Sequence, residues 1–168
     1  LIADPYAFYA KKIMGFAALD RIDDEPSMAW RGTIIHDILD QWAKQDDYAP
    51  EALLDRARRF LADPTLHPLV RSLWAPRLLE GLEWIARTVA DNRKAGRAPI
   101  ASEISGKAEI AGVTLSGIAD RIDRMPEGGL AIVDYKTGGA PSNRAVIEGF
   151  KLQLGLLAAI AEMGGFPD

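Results

Sequence analysis

The sequence has no cysteine and no apolar run long enough to cross a membrane. The missing cysteines exclude disulfides, a thiolate zinc site and a cysteine-held iron–sulfur cluster within this chain. They also fit a cytosolic protein, because disulfides are rare in that compartment. No signal-peptide pattern is present, and the chain begins at Leu1 rather than at methionine. We therefore expect a piece of a longer cytoplasmic protein that has no contact with a membrane.

An excess of basic charge is also missing. The 168 residues carry 20 Lys and Arg against 24 Asp and Glu, a formal net charge of −4. Nonspecific affinity for DNA comes mostly from Lys and Arg that release counterions from phosphates. The charge thus argues against an autonomous high-affinity DNA binder, and any DNA substrate would be held by another domain or partner. Length and a hydrophobic content of 48% fit one globular domain, residues 1–168.

Helical periodicity dominates residues 1–98. Predicted helices begin at Pro5, with Asp4 as N-cap, and cover 34–42, 51–62, 66–75 and 76–92, while the polar segment 20–27 is a loop. We expect Tyr6, Phe8 and Tyr9 to pack in the core or on the surface, with base stacking by one of them as the alternative. Trp74 and Trp84 are expected in the core rather than in a functional site.

His36 lies off the apolar stripe of its predicted helix. At about 100° per residue, its side chain projects roughly 130° from the centre of the stripe that ends at Trp42. His36 is therefore not a core histidine of this helix. It is either an ordinary surface histidine or a residue that faces a second element or a cleft.

From residue 100 the period changes from helical to two. Strands are predicted over 100–105, 107–110, 113–123 and 130–136, with turns at 111–112 and 126–129. Short connections imply antiparallel neighbours. A loop over 137–142, a helix over 144–150 capped by Ser142 and a final helix over 152–163 complete the chain.

Two of these strands carry a cluster of ionisable residues. Alternation along a strand puts Asp134 and Lys136 on one face. If strands 113–123 and 130–136 pair as a hairpin, Asp120 lies beside Asp134, and Glu103 adds a third carboxylate at the same end of the sheet. Carboxylates and a lysine that converge there suit a hard divalent cation and a water to be activated.

The same pattern has other interpretations. An Asp-x-Lys on a strand is also typical of a solvated face with a weak ion pair, and Glu103 alone is typical of an exposed strand glutamate. Asp123 competes with Asp120, since it faces the other side of a regular strand and a bulge near Arg121 would exchange the two.

Four motifs stand in order along the chain. They are Gly32-Thr33-Ile34-Ile35-His36, Gly117-Ile118-Ala119-Asp120, Asp134-Tyr135-Lys136 and Gln153. Together they resemble the PD-(D/E)xK nuclease superfamily in its RecB-like branch, with its G-x-x-x-H, G-x-x-D, D-x-K and glutamine-helix pattern. The opening Asp-Pro-Tyr-Ala-Phe-Tyr adds a likeness to the C-terminal nuclease domain of AddB-type subunits of bacterial helicase–nucleases. This resemblance covers nearly the whole chain.

The resemblance implies an α/β fold of the α+β kind, a restriction-endonuclease-like core with a mostly antiparallel sheet flanked by helices. It implies Mg²⁺ or Mn²⁺ bound by His36, Asp120, Asp134 and the Tyr135 carbonyl. Lys136 would orient the attacking water and balance charge on the phosphoryl oxygens, Glu103 would tune or share the metal site, and Gln153 would position Lys136 or a DNA phosphate. The implied reaction is in-line hydrolysis of a phosphodiester.

The resemblance also implies partners. They are a DNA single strand from an unwound duplex, an AddA-like helicase–nuclease subunit and the rest of the protein's own chain, in a complex that repairs double-strand breaks in the cytoplasm at the nucleoid. A nuclease-like scaffold or DNA-binding module without catalysis, and a helical interaction domain with solvated acidic residues, are the competing classes.

Two departures from the family pattern stand out. Leu157 occupies the place of the usual tyrosine in Q-x-x-x-Y, so a tyrosine contact is missing or supplied from elsewhere. Asp4 stands where many relatives carry the first of four cluster-binding cysteines, so helix packing must replace an iron–sulfur cluster. The family fold also usually continues with a further strand after the glutamine helix.

Overall fold

We describe a computed structural model of the chain over residues 5–16, 28–66, 68, 70–138, 142, 144, 146, 148 and 152–167. The predicted N-cap Asp4, the predicted loop 20–27 and most of the helix predicted over 144–150 lie outside these residues.

Helices dominate the described residues that precede the sheet. They are α1, Pro5–Phe8, continued by a π-helical turn, Tyr9–Ile13; α2, Met28–Asp46; α3, Pro50–Leu61; and α4, Ala75–Lys94, preceded by a π-helical turn, Val70–Trp74. The helical stretch predicted over 66–75 is present in part, as the π-helical turn Val70–Trp74 that runs directly into α4. Within the described ranges, no helix is both long and apolar enough to cross a lipid bilayer.

Helices α2, α3 and α4 enclose the main apolar core. Trp42, Leu53 and Leu82 are almost completely buried there. The indole Nε1 of Trp42 donates a hydrogen bond of 2.7 Å to the Ala49 carbonyl in the turn after α2, which satisfies its buried polar atom. This packing fixes α2 with its other flank, which carries His36, toward the sheet.

Three antiparallel strands form the sheet, in the order β1-β2-β3. They are β1, Ala98–Ile110; β2, Val113–Arg124; and β3, Leu130–Val133. The predicted fold class is confirmed, since helices flank an antiparallel sheet in a mixed α/β chain. Ala111 and Gly112, with φ of 51° and 76°, make the tight turn between β1 and β2 that a two-residue hairpin requires.

Two strand predictions need correction. Residues 100–105 and 107–110 form one strand that continues through Gly106, because this glycine keeps the backbone extended while Phe166 packs on it. A Cβ at Gly106 would lie 2.5 Å from the Phe166 ring. The strand predicted over 130–136 ends at Val133, so Asp134 to Lys136 leave the hydrogen-bonded ladder.

The last helix, α5, Gln153–Glu162, packs across the sheet. Leu157 lies directly over Gly117, where a Cβ would be only 2.8 Å from the leucine side chain. The turn after the helix pairs with β1 through a 2.8 Å hydrogen bond from Lys107 N–H to the Gly165 carbonyl. These contacts hold the N-terminal end of α5, and with it Gln153, near the end of β3.

The aromatic side chains of the helical part differ in exposure, and one of them is more exposed than the sequence predicts. Tyr6, Phe8 and Tyr9 all lie at the surface, whereas Trp74 packs, partly buried, against the core. Trp84 is 68% exposed, so the prediction that it belongs to the core is wrong. The buried side of α4 is formed by Leu78, Leu82, Ala86 and Val89, and Trp84 points away from it.

Candidate metal centre

The His36 ring connects α2 to two parts of the sheet. Its Nδ1 lies 3.0 Å from Glu103 Oε1 in β1 and 3.6 Å from Asp120 Oδ1 in β2. Its Nε2 lies 3.2 Å from the Tyr135 carbonyl just after β3. The imidazole therefore lies beside β1, β2 and the segment that follows β3.

His36, Glu103 and Asp120 each present one ligand atom, and these three atoms lie within 4.8 Å of one another. Ligands in an octahedral shell of about 2.1 Å radius lie about 3–4 Å apart, so small side-chain movements suffice to bring these atoms around one ion. Two carboxylate oxygens and an imidazole nitrogen suit Mn²⁺, and also Mg²⁺ with more of its water retained. The donor set thus fits the divalent cation that the sequence predicts.

Glu103 reaches this position through an unusual backbone conformation. Its φ is 45°, in the left-handed region that residues other than glycine rarely adopt. The flanking pairs in the ladder are Ser102 with Arg121 and Ile104 with Ala119, so Glu103 lies across from Asp120. A strained backbone of this kind costs about 1–3 kcal/mol and is found most often at functional sites.

Asp120 is a buried carboxylate that accepts a hydrogen bond from the backbone. Its Oδ2 accepts a hydrogen bond of 2.6 Å from the Tyr135 backbone N–H. Burial raises the pKa of Asp120, and the neighbouring Asp134 and Glu103 carboxylates raise it further, although the Tyr135 N–H and His36 act against them. A concentration of negative charge in a desolvated place favours a bound cation.

The same carboxylates favour the protonated form of His36. Burial alone would lower its pKa, but the Glu103 hydrogen bond, the Asp120 and Glu103 charges and the Tyr135 carbonyl outweigh burial, so the pKa lies above the usual 6.5. With both ring nitrogens protonated, the imidazolium donates to Glu103 and to the Tyr135 carbonyl. A cation in this place would have to displace that proton.

Asp134, Lys136 and Gln153 form an adjoining group. Lys136 Nζ lies 2.8 Å from one Asp134 oxygen and 2.9 Å from the other, and 3.2 Å from Gln153 Oε1. Gln153 Nε2 donates to Asp134 Oδ1 over 2.7 Å. The β2–β3 ladder runs to Arg121 opposite Val133, so Asp134 follows one position beyond, next to Asp120.

The structure thus brings all seven predicted site residues to one end of the sheet in two groups that touch. Asp134, which the resemblance assigns to the metal, is not one of the three residues whose ligand atoms lie within 4.8 Å, whereas Glu103 is. The Tyr135 carbonyl contacts the first group through His36, and Tyr135 N–H contacts it through Asp120.

Asp123 belongs to a different, buried cluster. It is 1% exposed and accepts hydrogen bonds of 2.7 Å from Arg97 Nε and of 2.8 and 3.1 Å from Arg121. Arg121 also donates to the Tyr135 hydroxyl. The ladder is regular around Arg121, and its irregularity lies between Pro99 and Ala101, so Asp123 does not take the place of Asp120.

This arginine cluster was missed from the sequence. Arg121 and Asp123 stand two apart in a strand and therefore share a face, which is the signal that could have paired them. Arg97 precedes β1 and has no periodic signal. The cluster fixes the Tyr135 side chain, and thereby the backbone groups of Tyr135 that point to His36 and Asp120.

A cleft adjoins the candidate metal centre. It has a volume of about 720 Å³ and lies between α4, the start of α2 and the segment 133–137. We call it the α4 cleft, and the residues that line it include Arg31, Arg77, Gly81, Trp84 and Lys136. The sequence singled out Lys136 but not Arg31 or Arg77, and it assigned Trp84 to packing, because an exposed Arg or Trp on a helix gives no distinctive spacing signal.

Leu157 explains the departure from the Q-x-x-x-Y pattern in this chain. It is 5% exposed and fills the space over Gly117. The position therefore serves the packing of α5 on the sheet. A side chain pointing at a substrate is not available there.

Comparison with known proteins agrees with this geometry. The model of the PD-(D/E)XK nuclease superfamily matches residues 3–167. An uncharacterized protein of Rickettsia typhi is 32% identical over 167 residues, which cover 92% of this chain and 19% of that protein. An uncharacterized protein of Rickettsia bellii is 31% identical over 175 residues, which cover 99% of this chain and 21% of that protein.

An uncharacterized protein of Rickettsia conorii is 30% identical over 179 residues and is covered to the same extent as that of Rickettsia bellii. The chain therefore spans about a fifth of the length of the curated relatives that it matches. No solved structure gives a significant match. Because the family match extends over almost all of its residues, the chain belongs to the PD-(D/E)XK nuclease superfamily.

Proposed function

We propose that this chain is a divalent-metal-dependent deoxyribonuclease domain that hydrolyses phosphodiester bonds. The observation that carries the proposal is the convergence of His36, Glu103 and Asp120 within 4.8 Å, next to the Asp134–Lys136–Gln153 group. A solvated strand face, the competing interpretation, gives no reason for a buried carboxylate to meet a histidine from a distant helix.

His36, Glu103, Asp120 and Asp134 would hold Mg²⁺ or Mn²⁺, with the Tyr135 carbonyl beside them. When bound, such a cation polarises the scissile phosphate and lowers the pKa of a coordinated water. Asp120 holds the Tyr135 peptide through its N–H, and His36 holds the same peptide through its carbonyl. This double attachment fixes the direction of the carbonyl at the site.

Lys136 is the positively charged side chain beside the proposed metal site. Gln153 and Asp134 hold its ammonium group in place, and the Lys136 side chain remains partly exposed to solvent. In that position the ammonium orients the attacking water and stabilises the negative charge that develops on the phosphoryl oxygens during in-line displacement. Gln153 acts as the residue that positions it.

The test combines metal binding with cleavage. Mn²⁺ titration by calorimetry on the wild-type chain and on Asp120→Asn should show binding that the substitution removes. Lys136→Met should keep Mn²⁺ binding and lose cleavage of a labelled oligonucleotide, while the surface control Asp91→Asn should keep both. Cleavage at the wild-type rate by folded Lys136→Met, or absence of Mn²⁺ binding in the wild type, would contradict the proposal and favour a scaffold.

We further propose that the domain belongs to an AddB-type subunit that acts with an AddA-like helicase–nuclease on a single strand from an unwound duplex, during double-strand break repair in the cytoplasm. The limited share of each relative that the chain covers supports a role as one domain of a larger protein. The net charge of −4 supports a partner that delivers the DNA. In the full-length protein, Lys136→Met should abolish cleavage of DNA ends and leave ATP-driven unwinding by the complex intact.

A further inference from the structure

One face of α4 forms the floor of the α4 cleft. Arg77, Gly81, Trp84, Thr88 and Asn92 line it at spacings of four, three, four and four residues. At about 100° per residue they fall within one narrow sector of the helix, beside its buried stripe. The cleft floor is therefore a continuous track along the helix.

Two arginines in the cleft have no acidic partner among the described residues. Arg31 and Arg77 form no ion pair with any residue that the structure describes. The Nε of Arg31 is buried and, within the same part of the chain, donates no hydrogen bond. In a chain of net charge −4, unpaired guanidinium groups concentrated in one cleft indicate an anionic ligand.

An exposed aromatic residue stands between these charges and the candidate metal centre. Trp84 lines the cleft while 68% of its surface is exposed. One turn earlier, Gly81 leaves open space, because apart from its chain neighbours and the surrounding helix backbone no atom lies within 4 Å of the position of a Cβ. The indole therefore has a free face and a gap beside it, which is the arrangement needed for stacking of a planar ring.

The α4 cleft reaches the catalytic end of the sheet. Asp134, Tyr135, Lys136 and Thr137 form one of its walls. The start of α2 lies next to this wall, since a Cβ at Gly32 would be 4.0 Å from Thr137 Oγ1. A ligand lying along α4 would thus reach the Asp134–Lys136–Gln153 group.

We infer that the α4 cleft binds a single strand of DNA, with Trp84 stacked on a base and Arg31 and Arg77 holding phosphates, and leads the strand to Lys136. The inference rests on the proposed nuclease function, since it specifies where that substrate lies. A positively charged groove with an aromatic platform is how single strands are held without sequence preference. A stacked double helix has no free base to place on the Trp84 indole.

The test measures binding without turnover. Fluorescence anisotropy of labelled oligo(dT), in EDTA, is recorded for the wild-type chain, four cleft variants and one control variant over a range of salt concentrations. Trp84→Ala should weaken binding by about five- to 150-fold, whereas Trp84→Phe should retain most of it. Arg77→Ala should also reduce the slope of log K against log salt by about 0.7, the value of one phosphate contact on a single strand.

Gly81→Leu distinguishes a blocked cleft from a loss of folding, because it should weaken oligo(dT) binding without lowering stability. Leucine favours a helix interior more than glycine by roughly 1 kcal/mol, so this variant should unfold at higher temperature than the wild type and still bind oligo(dT) less tightly. The control is Arg58→Ala, which removes an equal charge from an exposed Arg58–Asp55 pair on α3. Its affinity should match that of the wild type.

The inference is overturned if the wild type does not bind oligo(dT), if it prefers a duplex of the same length, or if the Trp84 and Arg77 variants bind as tightly as the control. Mn²⁺ calorimetry on the same variants separates the two proposals. Cleft variants that keep Mn²⁺ binding, cleavage and oligo(dT) affinity contradict only the cleft. A wild type that binds oligo(dT) through Trp84 but neither binds Mn²⁺ nor cleaves contradicts only the nuclease.

Discussion

Asp123 and Asp120 stand three residues apart in β2, and we predict opposite consequences of replacing them. In Asp123→Ala, the guanidinium of Arg121, only 4% exposed, loses both of its bonds to the carboxylate and keeps the Tyr135 hydroxyl. Removing one member of a buried ion pair costs about 3–5 kcal/mol. Arg97, with a quarter of its side chain exposed, recovers part of its solvation, so the lower half of that range applies.

Urea unfolding followed by circular dichroism measures this loss. With a slope of about 2 kcal/mol per molar urea, the midpoint of Asp123→Ala should fall by about 1.5–2 M. Asp91→Ala is the matched control, because it removes a carboxylate from an exposed pair with Lys94. An exposed pair of this kind contributes at most about 1 kcal/mol, so the control midpoint should move little.

Asp120→Asn should have the opposite effects on stability and on Mn²⁺ binding. Burial raises the pKa of Asp120, so its ionised form is less favourable in the folded chain than in the unfolded chain, and a neutral amide removes that cost. The amide oxygen still accepts the Tyr135 N–H. The unfolding midpoint should stay level or rise while Mn²⁺ binding is lost. Folded Asp123→Ala should retain Mn²⁺ binding, because Arg121 still donates to the Tyr135 hydroxyl and Asp120 still holds the Tyr135 N–H. Loss of Mn²⁺ binding in folded Asp123→Ala with binding retained in Asp120→Asn would refute this assignment.

Three further predictions concern packing and pH. Gly165→Ala should destabilise the fold by more than about 1–3 kcal/mol in thermal unfolding, since its Cβ would meet the backbone carbonyl of Lys107 at 2.3 Å. Leu157→Tyr should lower the free energy of unfolding by about 1–3 kcal/mol without raising cleavage, because the ring has no room over Gly117; a gain in cleavage at unchanged stability would contradict this. Mn²⁺ affinity should fall by up to about tenfold per pH unit as the pH drops through the raised pKa of His36, because the metal needs the neutral ring, and His36→Gln should flatten that dependence in calorimetry.

Periodicity predicted the parts of the site that depend on regular elements. The apolar stripe of α2 placed His36 on a flank, and the ring does lie on the flank that faces the sheet. Alternation in β2 separated Asp120 from Asp123, and the regular ladder confirms this. These predictions succeeded because one residue's direction follows from its neighbours in a helix or strand.

Other features depend on distant packing and could not be predicted from local patterns. Gly106 looks like a break in a strand until Phe166 is seen to pack on it. The departure of Asp134 from the ladder has no sequence signal either, although it directs the Tyr135 carbonyl toward His36. Trp84 was assigned to the core because tryptophan usually lies there, but the direction of the buried stripe on α4 turns it outward.

The contacts of His36 join residues that are far apart in the chain. Glu103 lies 67 residues later, and Tyr135 lies 99 residues later. Closing loops of this length is entropically costly and slow compared with forming helices, so the helical part can form during synthesis well before these contacts. A partly synthesised or proteolytically shortened chain would hold His36 without Lys136 and Gln153. Under the proposed nuclease function, such intermediates would therefore lack cleavage activity until the whole domain has folded.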